Sequence, residues 1–129
     1  MTMRVLLIVA LMLAPTLAAA DVLKCKIEGY NEDIFITTSP HTNSNDGQYA
    51  RIGISPGVGD RAVVVADRMG AIAFVELNGD GTPIGLLTVQ KNMRAVKSSH
   101  SIDNSGSVSA PSQNAGVCTR CAGAKACPP

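Results

Sequence analysis

Cysteine is the residue type of this chain with the clearest capacity for chemistry, and Cys118 and Cys121 form a C-x-x-C motif. In thiol–disulfide oxidoreductases this motif begins a helix, and the N-terminus of that helix lowers the pKa of the first thiol. Here the motif is followed by a short segment of alanine, glycine and lysine at 122–126 and then by Pro128. No helix of useful length fits there, so we expect no redox catalysis.

The N-terminal 20 residues have the pattern of a secretory signal peptide. Arg4 precedes an apolar run at 5–14, and Ala18 and Ala20 supply the small residues that signal peptidase requires before Asp21. The apolar run is about half of the roughly 20 residues that a membrane span needs. The sequence therefore predicts export to the periplasm or the medium, with cleavage after Ala20 and no membrane insertion of the mature chain.

An even number of cysteines in an exported chain favours disulfides. Four cysteines allow three pairings, and we favour Cys25 with Cys118 and Cys121 with Cys127. The first pair would close a loop of 93 residues, which stabilises a fold by about 4 to 5 kcal/mol in the chain-entropy model. The second would close only a short loop in the tail. A zinc site on the four thiolates is an alternative, although Cys25 has no neighbouring cysteine to form a second ligand pair.

Both histidines, His41 and His100, lie among hydroxyl residues. A Ser-His-Asp triad assembles in space rather than in sequence, so an exported hydrolase is an alternative function. The chain has neither a nucleophile elbow nor an oxyanion loop, and two histidines are too few for a typical catalytic zinc site. We therefore predict a protein that is not an enzyme and that has no metal or cofactor.

The segment Asn78-Gly79-Asp80-Gly81 contains residues that calcium loops use. An EF-hand, however, needs carboxylates spaced over about twelve residues and a final bidentate glutamate. Asn-Gly and Asp-Gly are also the residues that tight hairpin turns require. The segment is therefore predicted to be a hairpin turn.

Short β-type runs alternate with turn residues between Val22 and Cys118, and no segment has helical periodicity. Seven candidate strands lie at 23–28, 34–38, 50–54, 62–66, 71–77, 84–90 and 94–101. This spacing predicts an all-β fold, a small antiparallel sandwich or barrel. We expect one domain at 21–118, polar loops at 40–47 and 103–109, and an irregular cysteine-containing tail at 119–129.

Charge is balanced overall but divided along the chain. Without Arg4 there are ten basic and ten acidic residues, which makes nucleic acid an improbable partner. Residues 21–90 have five basic and nine acidic side chains, whereas residues 91–129 have five basic and one acidic. The charges could simply solvate exposed faces and pair with one another. The alternative is an acidic surface for a cationic protein, with Glu28, Asp67 and Glu76 as candidate contacts.

Four stretches of the second half, 74–83, 88–90, 96–101 and 111–118, resemble small uncharacterised exported proteins of Gram-negative bacteria. That resemblance implies an exported β-fold with a disulfide from the first strand to the C-terminal region, and it implies no activity. More distantly, the chain is similar to periplasmic C-type lysozyme inhibitors, which are small exported β-barrels with a cysteine on the first strand. The chain lacks the late aromatic strand of those inhibitors.

The sequence thus predicts a non-enzymatic binding protein of the periplasm or the medium, with a cationic protein such as a lysozyme as the candidate partner. An exported enzyme, either a hydrolase or a C-x-x-C oxidoreductase, is the first alternative. A structural component of the cell envelope is the second. Oligomeric state does not follow from these patterns.

Overall fold

Antiparallel strands form a closed barrel in the computed structural model of the chain, which describes residues 21–38, 48–66, 69–100, 105–107, 110–122 and 127. Eight strands lie within those residues: β1 (Asp21–Ile27), β2 (Ile34–Thr38), β3 (Gln48–Gly53), β4 (Asp60–Ala66), β5 (Ile72–Leu77), β6 (Pro83–Val89), β7 (Arg94–Ser99) and β8 (Ser112–Cys121). The described residues include no helix that is long and apolar enough to cross a membrane.

Each strand pairs with the next along the chain, and β8 pairs with β1 to close the barrel. Closure leaves no strand edge unpaired. The predicted all-β antiparallel fold is confirmed, with one strand more than the seven expected. The additional strand, β8, continues to Cys121 and so includes the first residues of the segment that we expected to be irregular. The predicted loop at 40–47 lies outside the described residues.

The barrel interior is filled by apolar side chains, as expected for eight strands. Phe74 on β5 is fully buried and lies opposite Val64 on β4 and Leu87 on β6. Phe74 faces the interior while its neighbours in sequence face outward, because successive side chains of a strand point to opposite faces. The buried cluster consists of Leu23, Cys25, Ile27, Ile34, Ile36, Ala50, Ile52, Ala62, Phe74, Leu87, Val89, Ala95 and Cys118.

The Cys25–Cys118 disulfide lies inside the barrel at the closing β1–β8 pair, where the two residues are directly opposite and their Cα atoms are 3.9 Å apart. The N–H of Cys118 donates to the carbonyl of Met93 on the other side. The two cysteines therefore occupy a position without mutual backbone hydrogen bonds, where opposed residues approach most closely. The second bridge joins Cys121 to Cys127. Both predicted pairings are confirmed.

The segment at 78–82 forms the predicted hairpin turn between β5 and β6. The N–H of Asn78 donates to the carbonyl of Thr82, and the Asn78 side-chain oxygen accepts from the N–H groups of Asp80 and Thr82. Gly81 has a φ of 88°, a conformation that residues with a side chain rarely adopt. The Asn78 side chain therefore accepts hydrogen bonds from backbone N–H groups of the same turn.

Candidate interaction surface at one end of the barrel

The connections that follow β1, β3, β5 and β7 all lie at the same end of the barrel, because the strands alternate in direction. Three of these connections, together with the first residue of β4, comprise residues 28–33, 54–60 and 78–82, which we call the acidic end. These described residues include five carboxylates and no lysine or arginine. The carboxylates are Glu28, Glu32, Asp33, Asp60 and Asp80. The described part of the connection after β7 adds no lysine or arginine.

The opposite end of the barrel has the opposite character. Its described residues include Lys91, Arg94 and Arg120, against the single carboxylate of Asp21. Arg120 and Asp21 form an exposed ion pair at 2.5 Å. In the described part of the chain, the acidic turns and these cations therefore lie at opposite ends of the barrel.

The carboxylates of the acidic end are mostly open to solvent. Glu28, Glu32, Asp60 and Asp80 are exposed, whereas Asp33 is partly buried and pairs with Lys24 at 3.2 Å. Hydrogen bonds from Thr82 hold the pKa of the Asp80 carboxyl below its usual value of 3.8, with a smaller contribution from Asn78. Lowering the pKa favours the charged form, so Asp80 is fully ionised at neutral pH.

Two aliphatic side chains project from the acidic end at the turn between β3 and β4. Ile54 and Val58 are each 65% exposed. The turn is held in place by two hydrogen bonds, from the N–H of Gly57 to the Thr37 hydroxyl at 2.7 Å and from Arg51 to the carbonyl of Gly59 at 3.2 Å. An anchored pair of exposed aliphatic residues, at the same end of the barrel as the carboxylates, is a candidate contact for a protein partner.

A buried ion pair lies in the same half of the barrel as the acidic end. Lys97 and Glu76 are each 7% exposed and lie 2.5 Å apart. The Lys97 ammonium also lies 5.9 Å from the centre of the Tyr30 ring, and the Tyr30 hydroxyl is 3.2 Å from that of Ser99. These contacts fix Tyr30 beside a cleft of about 480 Å³ that Ile54 also borders.

This pairing corrects the expectation that Glu76 is a surface contact for a partner. Its carboxylate points into the barrel and is neutralised by Lys97, because β5 places Glu76 on the same face as the core residue Phe74. Glu28 is exposed as expected, and Asp67 lies outside the described residues. The sequence patterns did not identify Asp60, Asp80, Ile54 and Val58 as residues that lie at the same end of the barrel as Glu28. Their position in turns that follow odd-numbered strands is the signal that identifies them.

The residues that could support catalysis do not come together in the described part of the chain. His100 is exposed, and no hydrogen bond joins its imidazole to a described serine or carboxylate. Cys118 and Cys121 belong to different disulfides. A redox-active C-x-x-C instead alternates between a dithiol and a disulfide within the motif.

Comparison of the chain with protein-family models, curated proteins and solved structures finds no match.

Proposed function

We propose that this protein is a non-enzymatic exported binding protein that engages a cationic protein through its acidic end. The observation that carries the proposal is the set of five carboxylates in turns that themselves contain no lysine or arginine, at the same end of the barrel as two exposed aliphatic side chains. Three cations of the C-terminal part, Lys91, Arg94 and Arg120, lie at the opposite end of the described barrel. Within the described residues, a basic protein would therefore meet clustered carboxylates at the acidic end.

The two kinds of residue contribute in different ways. Carboxylates at the rim of an interface mainly accelerate association by steering a cationic partner. A partner that covers Ile54 and Val58 would remove their exposed apolar surface from water and so slow dissociation, as central apolar contacts do in other complexes. The turn that presents them is already held by hydrogen bonds, which reduces the entropy lost on binding.

Charge reversal tests the steering. In the Glu28→Lys/Glu32→Lys variant, we expect association with a basic protein such as lysozyme to be slowed about tenfold or more at low salt, with a smaller change in dissociation. Surface plasmon resonance at several ionic strengths measures both rates. Association of the unmodified protein should slow as the Debye length falls from about 8 Å at physiological salt to about 3 Å at 1 M.

A matched control reverses a charge at the other end of the barrel. Lys91→Glu changes an exposed residue between β6 and β7 and should leave association unchanged or slightly faster. Binding that is insensitive to salt, or absent for lysozyme and other basic proteins, contradicts the proposal. A faster association of Lys91→Glu that matches, per unit of charge, the slowing in Glu28→Lys/Glu32→Lys would show that net charge matters and that the acidic end does not.

Export is the second part of the proposal. We expect the purified protein to begin at Asp21, because Ala18 and Ala20 meet the requirement of signal peptidase. The two disulfides are compatible with an oxidising compartment. N-terminal sequencing of the protein from periplasm and medium measures the start point. Retention of Met1 on a membrane-bound form contradicts this part.

A further inference from the structure

Two arginines stand directly opposite each other on the outer wall of the barrel. Arg51 on β3 and Arg61 on β4 are partners in the strand register. Like charges in this position destabilise a sheet. No carboxylate of the described residues forms an ion pair with either arginine. The fold therefore places two positive charges side by side without a counter-ion from this part of the chain.

Uncharged contacts orient both side chains. One N–H group of Arg51 donates to the carbonyl of Gly59 at 3.2 Å, and the Arg61 guanidinium lies 5.3 Å from the centre of the Tyr49 ring. A guanidinium has five N–H donors, so these contacts leave both arginines with capacity for further hydrogen bonds. Both groups are thus held near the wall.

The two arginines border one cavity of about 260 Å³, together with residues of the β3–β4 and β5–β6 turns. Its remaining lining residues are Gly59, Asp60, Leu77, Asn78 and Gly79. Two arginines against one aspartate give this lining a net charge of +1. The cavity is slightly smaller than pockets that enclose a whole drug-sized ligand, which have about 300 to 1,000 Å³. It therefore suits a small anionic group whose remaining part stays outside.

We propose that Arg51 and Arg61 bind the phosphate group of a phosphomonoester. Such a group has a charge of about −1.5 to −2 at neutral pH and three acceptor oxygens, and guanidinium groups match it with paired N–H donors. A monoanionic carboxylate would neutralise only one of the two arginines. This site adjoins the proposed acidic end. The two share the turn residues Gly59, Asp60, Asn78 and Gly79, whereas Arg51 and Arg61 lie outside the acidic end.

The surface beside the cavity determines which phosphomonoesters fit. Tyr49, Val63, Val75 and Leu86 lie opposite one another in consecutive strands, and they form an uncharged row across the outer wall next to the arginine pair. This row could accommodate the apolar part of an amphiphile with a phosphate headgroup. A small soluble phosphomonoester would use the cavity alone.

The test is a titration of the oxidised, isotope-labelled protein with phenyl phosphate, followed by NMR. We expect the backbone signals of Arg51, Arg61 and Gly79 to shift. The variants Arg51→Gln and Arg61→Gln should each weaken binding by about tenfold or more, because each removes charged hydrogen bonds to the phosphate. Arg94→Gln, which removes a cation from the opposite end, should bind like the unmodified protein.

A second variant keeps the proposal testable if an arginine substitution disturbs the fold. Asp60→Asn removes the one carboxylate of the lining, and it should strengthen binding of phenyl phosphate several-fold while weakening association with a basic protein. The two effects separate this site from the acidic end. No response at millimolar ligand, or a response that Arg51→Gln and Arg61→Gln leave unchanged, overturns the proposal.

A parallel titration with a short-chain phosphatidic acid below its micelle concentration distinguishes the two sources of phosphate. Additional shifts at Val63, Val75 and Leu86 support an amphiphile as the ligand. Shifts confined to the arginine cavity support a soluble phosphomonoester. A response that an uncharged amphiphile of the same chain length reproduces overturns the role of the arginines.

Discussion

Replacing Lys97 by methionine is expected to lower the free energy of unfolding by about 3 to 5 kcal/mol. Lys97 and Glu76 are both buried and paired in the barrel, and the substitution leaves the Glu76 carboxylate there without its partner. An isolated buried charge is costly because the protein interior solvates it poorly. Total stabilities of small domains are about 5 to 15 kcal/mol, so this loss is large. Denaturation of the oxidised protein by urea measures it.

The double variant Glu76→Leu/Lys97→Met separates the cost of an unpaired charge from the cost of altered packing. Replacing both partners of a buried ion pair by apolar residues is often neutral or stabilising, so we expect the double variant to recover most of the lost stability. Little space is open beyond Glu76, since a Cβ at Gly85 would lie 2.9 Å from its carboxylate. A loss below about 1 kcal/mol in Lys97→Met would contradict a buried pair.

Removing the Cys25–Cys118 disulfide is the second change with a large expected effect. In Cys25→Ala/Cys118→Ala we expect a loss of about 4 to 5 kcal/mol, because the bridge closes a loop with a sequence separation of 93 and so restricts most of the unfolded chain. The bridge also lies in the buried cluster. Unfolding by guanidinium under non-reducing conditions, compared with the unmodified protein, gives the difference.

The tail disulfide provides the matched comparison. Cys121 and Cys127 are separated by 6 positions, for which the same chain-entropy model gives about 2 kcal/mol. Cys121→Ala/Cys127→Ala should therefore be clearly more stable than the variant without the inner bridge. The reverse order, or peptide mapping that finds Cys118 joined to Cys121, would contradict the assignment.

The sequence predicts most of the barrel because β1 alternates apolar and polar residues, and because β4 and β5 are short, strongly apolar runs bounded by turn residues. The sequence pattern does not predict β8, because its residues from Ser112 to Gly116 are small or polar and alternate only weakly between apolar and polar types. Its pairing is fixed by neighbours on both sides, β7 and β1, rather than by its own apolar content. Closure into a barrel depends on that strand, so the sequence left sandwich and barrel open.

The sequence predicts that the candidate surface is acidic, but it does not predict which residues form it. Counting charges shows the acidic first part of the chain, but it treats Glu76 and Glu28 alike. Only the strand register shows that Glu76 faces the core and that Lys97 lies close enough to neutralise it. Ile54 was expected to complete the third strand, yet it lies beyond the end of β3 and is exposed in the turn.

The most direct measurement of the central proposal is an NMR map of the surface that a basic protein contacts. Unlabelled lysozyme would be added to the labelled, oxidised protein at physiological salt. We predict that signals of residues 28–33, 54–60 and 78–82 shift or broaden, with Ile54 and Val58 among the most affected, while those of 90–94 remain unchanged. Changes centred on the opposite end, or no changes at all, would contradict the assignment of the acidic end as the binding surface.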